Sequence, residues 1–145
     1  MSGIPDSFIE HAIQTTRQWL REIPSDREVG DEDQAYSILR AVLHALRAQF
    51  SVDEAAEFAS QLPVFWRGVF FEGWHPSHTP QPDDGPGRFF RDVDSGLRTI
   101  VLISSERATL LVYHLLCQKL SEKELAHVRS ALPPDLLQKR TPQTS

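Results

Sequence analysis

The stretch Leu62–Pro80, LPVFWRGVFFEGWHPSHTP, limits what this chain can fold into more than any other part of it. Phe65, Trp66, Phe70, Phe71 and Trp74 crowd together here, and only Arg67 and Glu72 interrupt the apolar surface. Read at helical periodicity, Val64–Trp74 places Phe65, Trp66, Val69, Phe70 and Trp74 on one half and Val64, Gly68 and Phe71 on the other. A helix apolar almost all round is expected to be buried on more than one side. Gly68 is expected to admit a neighbouring backbone, offsetting a propensity cost of about 1 kcal/mol. The following WHPSHTPQPDDGPG has no apolar period and reads as a linker. The stretch therefore divides two sets of helices.

Before it, Pro5 and Asp6 open a first helix whose Phe8, Ile9, Ala12, Ile13, Thr16, Trp19, Leu20 and Ile23 form one stripe. The acidic SDREVGDED reads as an exposed loop, with Asp31 better suited to capping a helix than to holding calcium. The second helix, over 32–49, carries Ala35, Ile38, Leu39, Val42, Leu43 and Leu46 on one face and Arg40, Arg47 and Gln49 on the other. Ser51 and Glu54 form a capping box that starts a third helix through Val52, Ala55, Ala56, Ala59 and Leu62. Beyond the linker, 88–101 reads as a helix through Phe89, Phe90, Val93, Leu97 and Ile100, weakened by Gly96. Ser104 or Ser105 caps the next, in which Cys117 is expected to be a small core residue. Ser121 and Glu124 form a second capping box, and Pro133-Pro134-Asp135 begins a short final turn before a polar, frayed tail from Thr141.

Much of this recurs at a spacing of seventy residues: Ser51/Ser121, Glu54/Glu124, Leu62-Pro63/Leu132-Pro133, His44/His114, Val42/Val112 and Leu46/Leu116. The pattern argues for an all-α chain of two tandem related helical units, 1–74 and 88–140, around a linker at 75–87 and ahead of a tail at 141–145. The aromatic helix is the expected joint between them.

At 145 residues the chain suits one domain or two halves sharing a core. Its formal charge of −5 is uneven, −6 over residues 1–75 and +1 over 76–145, with no basic patch to favour nucleic acid. A single cysteine excludes an internal disulfide framework and suits a reducing cytoplasm. No secretion signal and no apolar run of about 18 residues is present, so no membrane partner is expected.

Tyr36-Ser-Ile-Leu-Arg-Ala-Val-Leu-His-Ala-Leu-Arg47, Gln61-Leu-Pro63, Arg67-Gly68 and Glu72-Gly-Trp74 resemble the bacterial family catalogued as "domain of unknown function 2267". The resemblance covers most of the chain. It implies a small, all-helical, cytoplasmic bacterial protein with a duplicated unit, and it brings no activity, cofactor or catalytic residue.

Chemistry-bearing positions are few. His75 and His78, with Asp83 and Asp84 downstream, are the metal candidates, though two histidines in a proline-rich loop lack the tight spacing of structural sites. No GxSxG, HExxH or P-loop pattern occurs, so no catalytic residue and no cofactor is assigned. Arg67, set among apolar neighbours, needs a carboxylate, a carbonyl cluster or an aromatic face; a structural pair with an acid outweighs an anion site. Trp66, Arg67, Phe70 and Trp74 are the residues assigned to an interface or groove, since aromatics and arginine concentrate at interface centres. The expected function is a non-enzymatic interaction module that self-associates or binds a protein partner. The alternative is a small-ligand or metal-binding protein that uses the groove between the units, lined by Arg67, His75 and His78.

Overall fold

Residues 6–79, 85, 87–97 and 102–140 are described by a computed structural model. Among them the regular structure is entirely helical: α1 (Asp6–Arg21), α2 (Glu32–Gln49), α3 (Val52–Ser60), α4 (Val64–Phe71), a 3-10 turn (Pro76–His78), α5 (Gly87–Gly96), α6 (Ser105–Lys119), α7 (Glu122–Ala131) and α8 (Pro134–Arg140). The all-α expectation holds. The expected helix start at Pro5, the expected end of the fifth helix near Val101 and the tail from Thr141 lie outside the described residues.

Helix α2 is the axis of the molecule. Asp31 caps it, accepting a hydrogen bond from the Gln34 amide at 3.0 Å. Ala35, Ile38, Leu39, Ala41, Val42, Leu43, Ala45 and Leu46 are all buried, so the helix is covered well beyond one stripe. It packs on α5 most extensively and also touches α1, α4, α6 and α7. Close approach on the α5 side is set by small residues. A Cβ on Gly96 would lie 2.8 Å from Ala41 Cβ and 3.0 Å from its Cα.

The acidic loop before α2 is exposed as expected, apart from Val29 and, in part, Gly30. Asp26 Oδ1 accepts from the amides of Glu28 and Val29 at 2.9 and 3.0 Å, turning the chain so that Val29 drops into the core. Gly30 follows with φ at +83°, a conformation that side chains other than glycine's rarely adopt. Arg107 at the start of α6 grips Asp26 and Glu28 from outside, which lowers the Asp26 carboxyl below its usual value, chiefly through that side-chain hydrogen bond.

The aromatic helix is not the joint between the two sets of helices. α4 packs on α1, α2 and α3, all from its own side of the linker. Trp66 stacks on Trp19 with ring centroids 6.4 Å apart, and Phe70 meets Phe58 at 5.1 Å. The joint is instead α2 with α5, α6 and α7, together with α3 against α7. Nor is α4 covered all round: Trp66, Val69 and Phe70 are buried, whereas Val64 and Phe65 face solvent. Gly68 meets nothing within 4 Å and so admits no neighbour within the chain.

Cys117 is exposed. In α6 the buried residues Val112, Tyr113, Leu115 and Leu116 turn inward, and His114 and Cys117 share the outer face three residues apart. No helix of the described residues is long and apolar enough to cross a membrane.

Candidate functional site

Two concave regions collect the residues with functional potential. The first lies between α1 and the start of α4. It is a groove of about 410 Å³ lined by Phe8, Ile9, Ile13, Leu20, Val64 and Phe65, with Arg17 and Glu32 at its edge. Seven large hydrophobic side chains among the described residues are exposed, and five of them are in this groove: Phe8 at 57%, Ile9 at 47%, Ile13 at 51%, Val64 at 64% and Phe65 at 45%. Such clustering separates a functional surface from the scattered apolar residues of an ordinary exterior.

The local sequence explains the groove. Trp19, Leu20 and Ile23, at the end of α1, enter the core and anchor the helix. Its earlier turns extend past what α2 and α4 can cover, so the stripe continues uncovered through Ile9 and Ile13. On α4, Pro63 starts the helix with no side-chain cap, and the first turn puts Val64 and Phe65 outward while Trp66 turns in. Arg17 and Glu32 make a loose ion pair at 3.9 Å across the groove's end.

The second region lies between α2, the 3-10 turn and α5. It is a cleft of about 350 Å³ lined by His44, Arg47, His75, His78, Arg88 and Asp92, with Trp74 on its wall. Thr79 ties this turn to the end of α2, donating to Phe50 O at 2.7 Å and Arg47 O at 3.2 Å. Arg47 donates to the carbonyls of Phe70 and Glu72 at 2.7 and 2.6 Å, holding the end of α4 against α2. His44 Nε2 is 2.7 Å from Val69 O, which makes it the protonated nitrogen. Burial is the main reason the His44 pKa lies below its usual value, and Arg47 and Arg40 lower it further.

The residues assigned from sequence to an interface or groove separate accordingly. Trp66 and Phe70 are fully buried core side chains and present nothing to a partner. Trp74, half-buried, lines the cleft. Arg67 lies in neither region. It donates to Ala59 O, in the last turn of α3, and to Leu62 O just beyond it, at 3.1 and 3.0 Å, so a carbonyl cluster and not an acid is its partner. His75 and His78 do come together, with ring centroids 5.3 Å apart. Among the described residues no third His, Cys, Asp or Glu joins them at ligating distance, and Asp83 lies outside those residues.

Residues 16–138 match the family described as "Uncharacterized conserved protein (DUF2267)". The chain belongs to this family. No curated protein matches it. The DUF2267 segment begins inside α1, so Val64 and Phe65 fall within it, while Phe8, Ile9 and Ile13 precede it.

Sequence reasoning missed the groove because it read α1 as one apolar stripe without separating the covered turns from the uncovered ones. The available clue was length. The stripe runs from Phe8 to Ile23, more than four turns, whereas α4, one of the two helices that pack on α1, has only eight residues.

Proposed function

We propose that the protein is a non-enzymatic interaction module that self-associates as a twofold dimer through the α1–α4 groove. The observation that carries this reading is the grouping of five exposed large hydrophobic side chains in one groove. Two further features point to a second copy as the occupant. Glu10 and Arg17, both exposed, lie seven residues apart and share one flank of the Ile9–Ile13–Thr16 line. A twofold axis across that line runs α1 antiparallel to its mate and sets each Glu10 beside the mate's Arg17. Gly68, exposed on α4 beside Val64 and Phe65, has a helix-propensity cost of about 1 kcal/mol that nothing in its own chain offsets. Close approach by a partner helix supplies the offset.

The same reading takes 1–74 and 88–140 as tandem copies of one unit, on the recurrence at seventy-residue spacing, and places the protein in the cytoplasm, where a lone exposed thiol stays reduced. Sedimentation equilibrium from about 1 to 200 µM tests the dimer, a range that brackets weak transient association. A dimer is expected, converted to monomer by Ile13→Asp. Glu10→Arg weakens it, and the double change Glu10→Arg/Arg17→Glu restores it. A strict monomer at the top of that range overturns the reading.

A second reading, small-ligand binding, is supported by the convergence of Arg47, Arg88, His44, His75 and His78 on one cleft, a set suited to an anion such as a phosphate or carboxylate that competes with Asp92 for Arg88, now paired with it at 3.2 Å. Saturable binding of inorganic phosphate by the wild type and its loss in His75→Ala/His78→Ala would favour it. Absence of binding at millimolar phosphate counts against it.

A further inference from the structure

The two capping boxes have the same sequence logic and are wired differently. At Ser51 both arms are made: the Glu54 amide donates to Ser51 Oγ at 3.1 Å, and Glu54 Oε1 accepts from the Ser51 amide at 2.9 Å. At Ser121 only the first arm survives, with the Glu124 amide 3.4 Å from Ser121 Oγ. The Ser121 amide donates instead to Gln61 Oε1 at 3.2 Å, and Gln61 Nε2 donates back to Ser121 Oγ at 3.2 Å. Gln61, arriving from the end of α3, thus takes over the work of the second glutamate.

The displaced carboxylate is not released to solvent. Glu124 is a buried side chain, 3% exposed, and its Oε1 faces His127 Nδ1 at 3.4 Å. Among the described residues His127 is its only ion-pairing partner. One long contact is a poor return for removing a carboxylate from water, where buried charge normally has paired or ligating neighbours. Glu57 of α3 stands opposite, and one ligating atom from each of Glu57, Glu124 and His127 lies within 4.8 Å of the other two.

We propose that Glu57, Glu124 and His127 bind a divalent transition-metal ion, with Zn²⁺ the best fit. Glu124 and His127 are three residues apart on α7 and therefore share a face, and a glutamate from the facing helix is the usual third ligand for such a pair in helical bundles. Imidazole with carboxylates suits zinc and its first-row neighbours, and three protein ligands leave a position for water. Ligands about 2.0–2.2 Å from a tetrahedral ion are separated by roughly 3.3–3.6 Å, a spacing that Glu124 and His127 already have. Glu57 closes the remainder by side-chain rotation. It gives up an ion pair with Lys123 at 3.2 Å, in which both side chains are largely exposed and the pairing is weak. The ion would fasten α3 to α7 and so tie the helices before the linker to those after it. This site is separate from the His75–His78 pair and from the α1–α4 groove.

The test uses the full chain, stripped with chelator and titrated with Zn²⁺ by calorimetry and with Co²⁺ by visible absorption. One equivalent is expected to bind with a Kd of about 10 µM or tighter, with a cobalt spectrum of low coordination number and a rise in Tm on loading. Glu57→Gln, Glu124→Gln and His127→Ala should each weaken binding about tenfold or more, and His75→Ala/His78→Ala should leave it unchanged. Because Glu57 is exposed, Glu57→Gln keeps the fold and decides the matter even if the α7 variants unfold. The proposal is overturned by no saturable binding at about 100 µM metal, by binding indifferent to Glu57→Gln, or by binding lost only in the His75/His78 variant.

Discussion

Helices α1 and α5 carry the same kind of sequence, an apolar doublet opening an amphipathic stripe: Phe8-Ile9 in one and Phe89-Phe90 in the other. α5 lies along α2 and buries Phe89 and Val93 completely or nearly so. α1 buries only its last turns and leaves Phe8, Ile9 and Ile13 in solvent. The cause is the space on α2. Ala41 is small enough to seat α5 closely, with Gly96 against it, whereas α1 is buried only near its C-terminal end, where Trp19 meets Trp66 of α4. An amphipathic pattern thus establishes that a face needs cover, and the neighbour's surface decides whether the chain itself provides it.

Truncating each stripe should destabilise the protein very differently. Phe89→Ala removes a buried ring and is expected to cost about 3–5 kcal/mol in urea unfolding. Ile13→Asp, measured at concentrations where the protein is monomeric, should stay within about 0.5 kcal/mol of wild type. Similar losses in the two variants would mean that α1 is held by contacts its exposure does not show.

Much of the fold was legible because helix signals are local. The Asp31 cap, the Ser51–Glu54 box and the α2 stripe all appear where the sequence places them, and of the two serines offered as the α6 cap it is Ser104 that serves. What was not legible depends on partners distant in sequence. Gln61 displaces the side chain of Glu124 from a capping box that reads like its counterpart at Ser51. The close seating of α5 on Ala41 depends on Gly96, which enters the sequence more than fifty residues later. Trp66 and Phe65 are adjacent and equally apolar, so only the packing of Trp19 against one of them tells core from surface. The candidate groove was hidden for the same reason, and the Glu124-x-x-His127 spacing was visible but uninformative without Glu57 facing it.

A smaller contrast separates two glycines. At Gly96 an added methyl group meets Ala41 Cβ and backbone at 2.8 and 3.0 Å, so Gly96→Ala must push α5 off α2 and should cost about 1–3 kcal/mol. At Gly68 the methyl group meets nothing, so Gly68→Ala should stabilise the monomer by about 0.5–1 kcal/mol. The same change should weaken association in the sedimentation experiment if a partner helix approaches there. Stabilisation without any loss of association would remove Gly68 from the proposed interface.

The smallest expected effect concerns His44 and His114, seventy residues apart and differently placed. His114 is exposed. His44 is half-buried against Val69 O, near Arg40, Arg47 and Glu72, and burial lowers its pKa from the ordinary 6.5. In the folded state it therefore takes up its proton at lower pH than in the unfolded chain. As the pH falls through about 6.5 the unfolded state binds more protons, and stability declines until the lower folded-state pKa is passed. Urea midpoints should accordingly fall between about pH 7.5 and 5.5. His44→Gln should flatten that slope, since glutamine can still donate to Val69 O and does not titrate. A slope unaltered by His44→Gln would assign the acid sensitivity to another group.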